Sequence, residues 1–166
     1  MSQSAFEVTI NHVVIKGYHI FKMRPLQGMR MNVVPEPSNP YDKNALTVVM
    51  PGLGSIPVEQ QGIVTDAKRG TTVKSIAGKC VGRLPAGLAA ILSRMVSDGE
   101  VLEMTCVATG EPCPSFRPWP LPGQRGGGVV IPCQVVVQVH HRDKALAAFR
   151  EAFKDLGPEK AVMTLC

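Results

Sequence analysis

The sequence predicts a mainly β domain of about six strands with two helices, and three observations carry that expectation. The chain has 166 residues, a size usual for one domain with one hydrophobic core. Apolar residues make up 45% of it but aromatic residues only 5%. The core therefore falls mainly to Val, Ile, Leu and Met, of which Val and Ile favour strands. Six segments show strand alternation or short apolar runs, without the regular strand–helix alternation that builds a parallel doubly wound sheet.

From Phe6 to Ile10 apolar and polar residues alternate, and Val13-Val14-Ile15 then form a continuous run, so this strand becomes more buried toward its end. Met29 to Val34 is a second strand, closed by Pro35 and Pro37. Ala45 to Met50 reads as a strand buried on both sides. Residues 51–79 form a long excursion with weak strand signals at Gln61–Thr65 and Thr71–Ile76, the pattern of a hairpin. Cys80 to Leu84 is a short strand. Pro85 then stands at the first position of a helix whose Leu88, Ile91, Leu92 and Met95 share one face, and Gly99 ends it.

Val101 to Thr109 alternates again, with Leu102, Met104 and Cys106 on one side. Residues 110–128 are rich in Pro and Gly. Val129 to His140 is the longest strand, with Ile131, Cys133, Val135, Val137 and Val139 facing one way; Pro132 cannot donate to a ladder, so its start is expected at an edge or bulge. Asp143 to Leu156 reads as an amphipathic helix capped by Asp143, striped by Leu146, Phe149 and Phe153, and stopped by Gly157-Pro158. The residues beyond are expected to be loosely held. This divides the chain into a strand-rich domain over 1–142, with 51–79 as an insertion loop, and a helix and tail over 143–166.

The net charge of +5 leans toward an anionic partner, because surface lysine and arginine attract phosphates. The five cysteines are scattered, odd in number and without a Cys-x-x-Cys pair, which excludes a zinc-ligand pattern and fits reduced thiols inside a cell. The first residues do not form a signal peptide, and no apolar run is long enough to cross a bilayer, so no membrane partner is expected. The glycines between Gly123 and Gly128 match neither a phosphate loop nor a dinucleotide fingerprint, and no cofactor is expected. His140-His141 would point to opposite faces of a strand, a poor metal pair. No Ser/His/Asp set and no carboxylate cluster supports hydrolytic chemistry, so the chain is not read as an enzyme.

The most informative segment is Glu36-Pro37-Ser38-Asn39-Pro40-Tyr41-Asp42-Lys43-Asn44-Ala45. Asn39-Pro40 initiates a turn, Asp42 and Asn44 can bond nearby backbone, and the segment runs directly into a buried strand. On those grounds alone it is a well-made turn with self-satisfied side chains. However, EPSNPYDKNALTVV also resembles the signature of the HIRAN domain, a module attached to Snf2-type DNA translocases and also found alone. VVIKGYHIFK, GKCVGRLPAGLAAIL and GGGVVIPCQVVV are similar to further HIRAN stretches in the same order, from about Val13 to Val137.

The resemblance implies an OB-like or SH3-like small β-barrel, a nuclear location, and binding to the 3′ end of single-stranded DNA, with RNA as a possible substitute. The implied binding residues are Asn39, Tyr41, Asp42, Lys43, Asn44 and Arg83, with Tyr18 and His19 beside the first motif's glycine. Tyr41 offers a ring on which a base can stack. Asp42 would accept a hydrogen bond from a free 3′-hydroxyl and repel a phosphorylated end. Asn39 and Asn44 can hydrogen-bond the terminal nucleotide, and Arg83 stands near its phosphate. The chain also departs from the family: Ile20 and Val129 stand where DNA-binding members carry aromatic residues, and Ala86 where they carry a lysine. The loop 110–128 offers Trp119 and Phe116 interleaved with Arg117 and Arg125, either as a compensating nucleic-acid surface or as a lid on the barrel mouth. The same loop supports a different reading, a protein-interaction adaptor that has lost DNA-end binding.

Overall fold

Strand β1 (Phe6–Ile15) shows how patterning becomes geometry. The computed structural model describes residues 6–125, 127–156 and 163–166. It buries Val8 and Ile10 on the inner face of β1, then Val13, Val14 and Ile15 together. The switch falls at a bulge, where the register shifts between Ile10 and Val13 and His12 takes φ 62°. The bulge bends the strand and turns its end into the core.

Helix α1 (Tyr18–Phe21) follows, then β2 (Arg30–Pro35) and β3 (Leu46–Val49), an antiparallel pair. The excursion after β3 holds α2 (Val58–Gln61), a small hairpin of β4 (Val64–Asp66) and β5 (Thr71–Thr72), and α3 (Val73–Ile76). The hairpin expected here is therefore present but much shorter. Gln61 ends a helix, and the strand expected over Thr71–Ile76 stops after two residues because Thr72 and Ser75 cap each other and start α3. Ile56, Val73 and Ile76 tie the excursion to the core.

Strand β6 (Cys80–Arg83) leads to α4 (Ala86–Ser97), which buries Leu88, Ala89, Ile91, Leu92 and Met95. Pro85 is the N-cap of α4 rather than its first residue, and Gly99 at φ 78° supplies the left-handed turn after it. Strands β7 (Val101–Ala108), β8 (Cys113–Pro114) and β9 (Val129–Val139) come next. Leu102 does not share a face with Met104 and Cys106: the β7 register against β9 shifts between Val101 and Glu103, and Leu102 is left exposed. Strand β9 pairs with β1 on one side and with β7 and then β8 on the other. Pro132 lies in the gap between the β7 and β8 pairings, where the ladder has no place for its missing N–H; its carbonyl still accepts from Thr109 N at 2.9 Å.

The last helix, α5 (Arg142–Phe153), packs on β1 through Leu146, Phe149 and Phe153. Its N-cap is His141, and Asp143 makes no cap hydrogen bond but sits in the first turn, where a carboxylate still suits the helix dipole. The expected Gly157-Pro158 stop lies outside the described residues. The end of the chain corrects the expectation of a loose tail: Met163 is buried, and β10 (Thr164–Leu165) adds to the outer edge of β1. The two expected helices are present as α4 and α5, but the described residues contain three further helices of four residues each.

The strand order is β10-β1-β9-β7-β2-β3-β6, with β8 also on β9, antiparallel throughout. The fold is thus mainly β as expected, but the eight-stranded sheet is curled and open rather than a closed barrel. One bridge fastens its end back to its beginning: Lys16, just after β1, and Arg83 of β6 exchange backbone hydrogen bonds of 2.8 and 2.9 Å. Gly82 makes this approach possible, because a Cβ there would overlap the Ile15 side chain and the Lys16 carbonyl. Among the described residues no helix is long and apolar enough to cross a membrane.

Gly82→Ala should therefore open the fastening and cost at least the ~1–3 kcal/mol typical of overpacking. Urea unfolding of the two proteins checks this, and a difference below about 0.5 kcal/mol would show that the junction yields freely.

Candidate nucleic-acid interface

The loop between β2 and β3 carries the signature segment, and its backbone explains its residue types. Glu36 N donates to Ala45 O at 2.9 Å, closing the loop at its base. Asn39 Oδ1 accepts from the backbone N–H of Tyr41 (2.8 Å) and of Asp42 (3.1 Å), and Asp42 Oδ1 accepts from Asn44 N at 2.9 Å. These are the self-bonded turns that asparagine and aspartate favour. The Ser93 hydroxyl of α4 donates to Asn44 O at 3.1 Å and pins the loop to the helix. With its backbone held this way, the loop presents Tyr41 with its ring free; the residue is 96% exposed.

The loop forms one wall of a cleft of about 470 Å³. Asn39, Tyr41 and Asp42 line that wall, and Lys16, Gly17 and His19 enter from the end of β1 and the start of α1. Arg83 comes from β6, Leu84 and Ala86 from the turn into α4, and Gly127, Val129 and Val130 from the start of β9. The cleft thus lies over the fastening between Lys16 and Arg83, where the curled sheet meets itself.

Arg83 is held from two directions. Its Nε and Nη2 donate to the two carboxylate oxygens of Glu36 at 3.0 and 3.1 Å, and its guanidinium lies 5.3 Å from the centre of the Phe21 ring. Such a fork-to-fork pair fixes the plane of the group as well as its charge. The Arg83 hydrogen bonds hold the Glu36 carboxyl below its ordinary 4.5, and Glu36 in turn raises Arg83 further. Lys16 makes no ion pair among the described residues, so the unneutralised cation of the cleft is Lys16 rather than Arg83.

The structure brings Asn39, Tyr41, Asp42, His19 and Arg83 together, but not the rest of the expected set. Lys43 is exposed beside the cleft without lining it, and Asn44 is half-buried, engaged through its backbone. Tyr18 packs against the core beside Arg24 and turns away from the cleft. Trp119 is corrected most: it is 3% exposed and belongs to the core cluster, so it presents no stacking face, while Phe116 in the same loop is exposed. Two positions where the chain departs from the HIRAN pattern, Ala86 and Val129, line the cleft, and Ile20 is exposed outside it. Lys16, Gly127 and Glu36 are partners that sequence reasoning did not assign; for Lys16 the signal was a lone cation at the end of a buried strand.

Among the described residues no group of three or more His, Cys, Asp or Glu could hold a metal ion. All five cysteines are free.

The Glu36–Arg83 pair gives a pH-dependent expectation. A carboxyl lowered in the folded state contributes stability above its unfolded value of 4.5, and that contribution is lost as pH falls through its folded pKa. Thermal unfolding of the wild type and Glu36→Gln should therefore differ at neutral pH and converge in acid; a constant gap would mean the pair adds no charge-dependent stability.

No protein-family model matches the sequence. No curated protein matches it either. Among solved structures, the chain is similar to the crystal structure of the HIRAN domain of human HLTF, with a TM-score of 0.52 at 16% identity. The match covers 92% of this chain and 97% of that one. At that identity the likeness is one of fold: the chain has a HIRAN-like fold, the frame that the sequence resemblance implies.

Proposed function

We propose that the chain is a non-catalytic module whose cleft binds the 3′ end of a single-stranded DNA. The observation that carries this reading is a free aromatic ring and a carboxylate on one rigid loop at the mouth of a cleft that also holds Lys16 and Arg83. Tyr41 is 96% exposed on a backbone already fixed by its own hydrogen bonds, so stacking a base on it costs little ordering. Asp42 lines the cleft with one oxygen engaged by Asn44 N, and its other oxygen makes no hydrogen bond among the described residues. That oxygen suits a hydroxyl donor and opposes a phosphate. Lys16 supplies attraction for the last internucleotide phosphate, and Arg83 a positioned donor. The HIRAN-like motifs and fold support a DNA end as the ligand, and a nuclear location with it.

Two other readings have less support. An adaptor surface on 110–128 rests on that loop's aromatic rings, and with Trp119 inside, Phe116 alone stands out, at 43% exposure. A nuclease would need Glu36 and Asp42 to act together, but both Glu36 oxygens are occupied by Arg83.

Fluorescence anisotropy with a short single-stranded DNA ending in a 3′-hydroxyl or a 3′-phosphate tests the proposal. The wild type should prefer the hydroxyl end, and Asp42→Ala should bind both ends alike. Tyr41→Ala should weaken both by about 1–3 kcal/mol. A wild type indifferent to the end would overturn the reading.

A further inference from the structure

Another cavity, of about 600 Å³, is lined by Arg117, Trp119, Leu121, Gln124, Arg125 and two prolines. We propose that this groove carries the nucleotides upstream of the terminal one, with Arg117 and Arg125 gripping their phosphates. The proposal rests on the end-binding reading above and extends it from an end pocket to a strand path.

Continuity is the first argument. Gly127 lines the cleft, and its N–H donates to Gln124 O at 2.9 Å, so the cleft and the groove share this stretch of backbone. A Cβ at Gly127 would overlap the Leu121 carbonyl, and Leu121 lines the groove. The cleft and the groove therefore adjoin where Gly127 packs on the backbone of Leu121.

Charge is the second. No carboxylate lines the groove, and among the described residues neither Arg117 nor Arg125 forms an ion pair. Both are exposed. Arg83 in the cleft is neutralised by Glu36, whereas these two guanidiniums keep their full charge for an anion. Guanidinium forks match phosphate oxygens in pairs.

Rigidity is the third. Trp119 is anchored in the core, and Leu121 N donates to Gln124 Oε1 at 2.8 Å, which fixes the turn and leaves the Gln124 amide nitrogen to donate. Leu121 and two prolines line the groove with the arginines, apolar surfaces against which a sugar or base edge can lie, and the buried Trp119 backs them. A groove already shaped this way binds without first ordering a loop.

The test compares a dinucleotide with single strands of up to about 8 nucleotides, each ending in a 3′-hydroxyl or a 3′-phosphate, across a salt series. Wild type should gain affinity with length. The double variant Arg117→Ala, Arg125→Ala should lose that gain and reduce the log–log salt slope by about 1.4, at roughly 0.7 per phosphate contact on a single strand. It should keep the preference for a hydroxyl end. Arg117→Lys with Arg125→Lys should retain the slope but only part of the gain. An equal gain with length in wild type and double variant overturns the groove and leaves the end pocket standing. Loss of end preference in wild type, with the arginine-dependent gain intact, sinks the end pocket and leaves the groove. If the alanine variant has a lowered Tm, the double glutamine variant, which keeps both stems, decides the same question.

Discussion

Two backbone hydrogen bonds hold the site together. Lys16 and Arg83 exchange them across the seam where the curled sheet meets itself, and both side chains reach the cleft from that seam. The bonds themselves are ordinary, each worth about 1 kcal/mol net. Their importance is geometric. They bring the end of β1, the end of β6 and the β2–β3 loop to one place, and without them Lys16 and Arg83 would sit on unconnected ends of an open sheet. Gly82 is the condition for this contact, since any side chain there would wedge the two strands apart.

The electrostatics of the cleft are restrained. A chain of net charge +5 might be expected to concentrate cations at an anion site, yet Arg83 is matched by Glu36 and a carboxylate, Asp42, stands in the wall. In the proposed reading, such a site would draw polyanions weakly and discriminate by hydrogen bonding, because attraction falls off with salt while a phosphate beside Asp42 is repelled at contact distance. On that reading, specificity and grip would fall to different parts of the molecule, the loop at Asn39–Asn44 and the cations around it.

Much of this fold is legible in the sequence, and the failures have physical causes. Alternation and apolar runs read β1, β9 and α4 nearly to the residue and place α5 with its end three residues too far, because each buries a face long enough to set a period. Leu102 misleads because a bulge resets the alternation at that point. Strand β10 is invisible because two residues have no period, and their pairing with Ile10 and Asn11 is a matter of tertiary placement. The Asn39–Asn44 segment is legible because asparagine and aspartate bond their own backbone locally. Glu36, at the base of the loop, finds Arg83 only because β2, β3 and β6 lie side by side, and no local pattern announces a partner 47 positions away. Trp119 deceives for the opposite reason: its Pro- and Gly-rich neighbours suggest a surface loop, whereas the ring itself is drawn into the core by its apolar area.

That burial has an optical consequence. Trp119 is the chain's single tryptophan, and its ring sits between the core and the groove that holds Arg117 and Arg125. Nearly all near-ultraviolet-excited indole emission must therefore come from one place, shielded from water at rest. Its wavelength reports the packing of the loop on the sheet, and its intensity responds to whatever settles against the groove's wall. The protein carries its own unlabelled reporter, placed by the fold on the loop between the cleft and the groove.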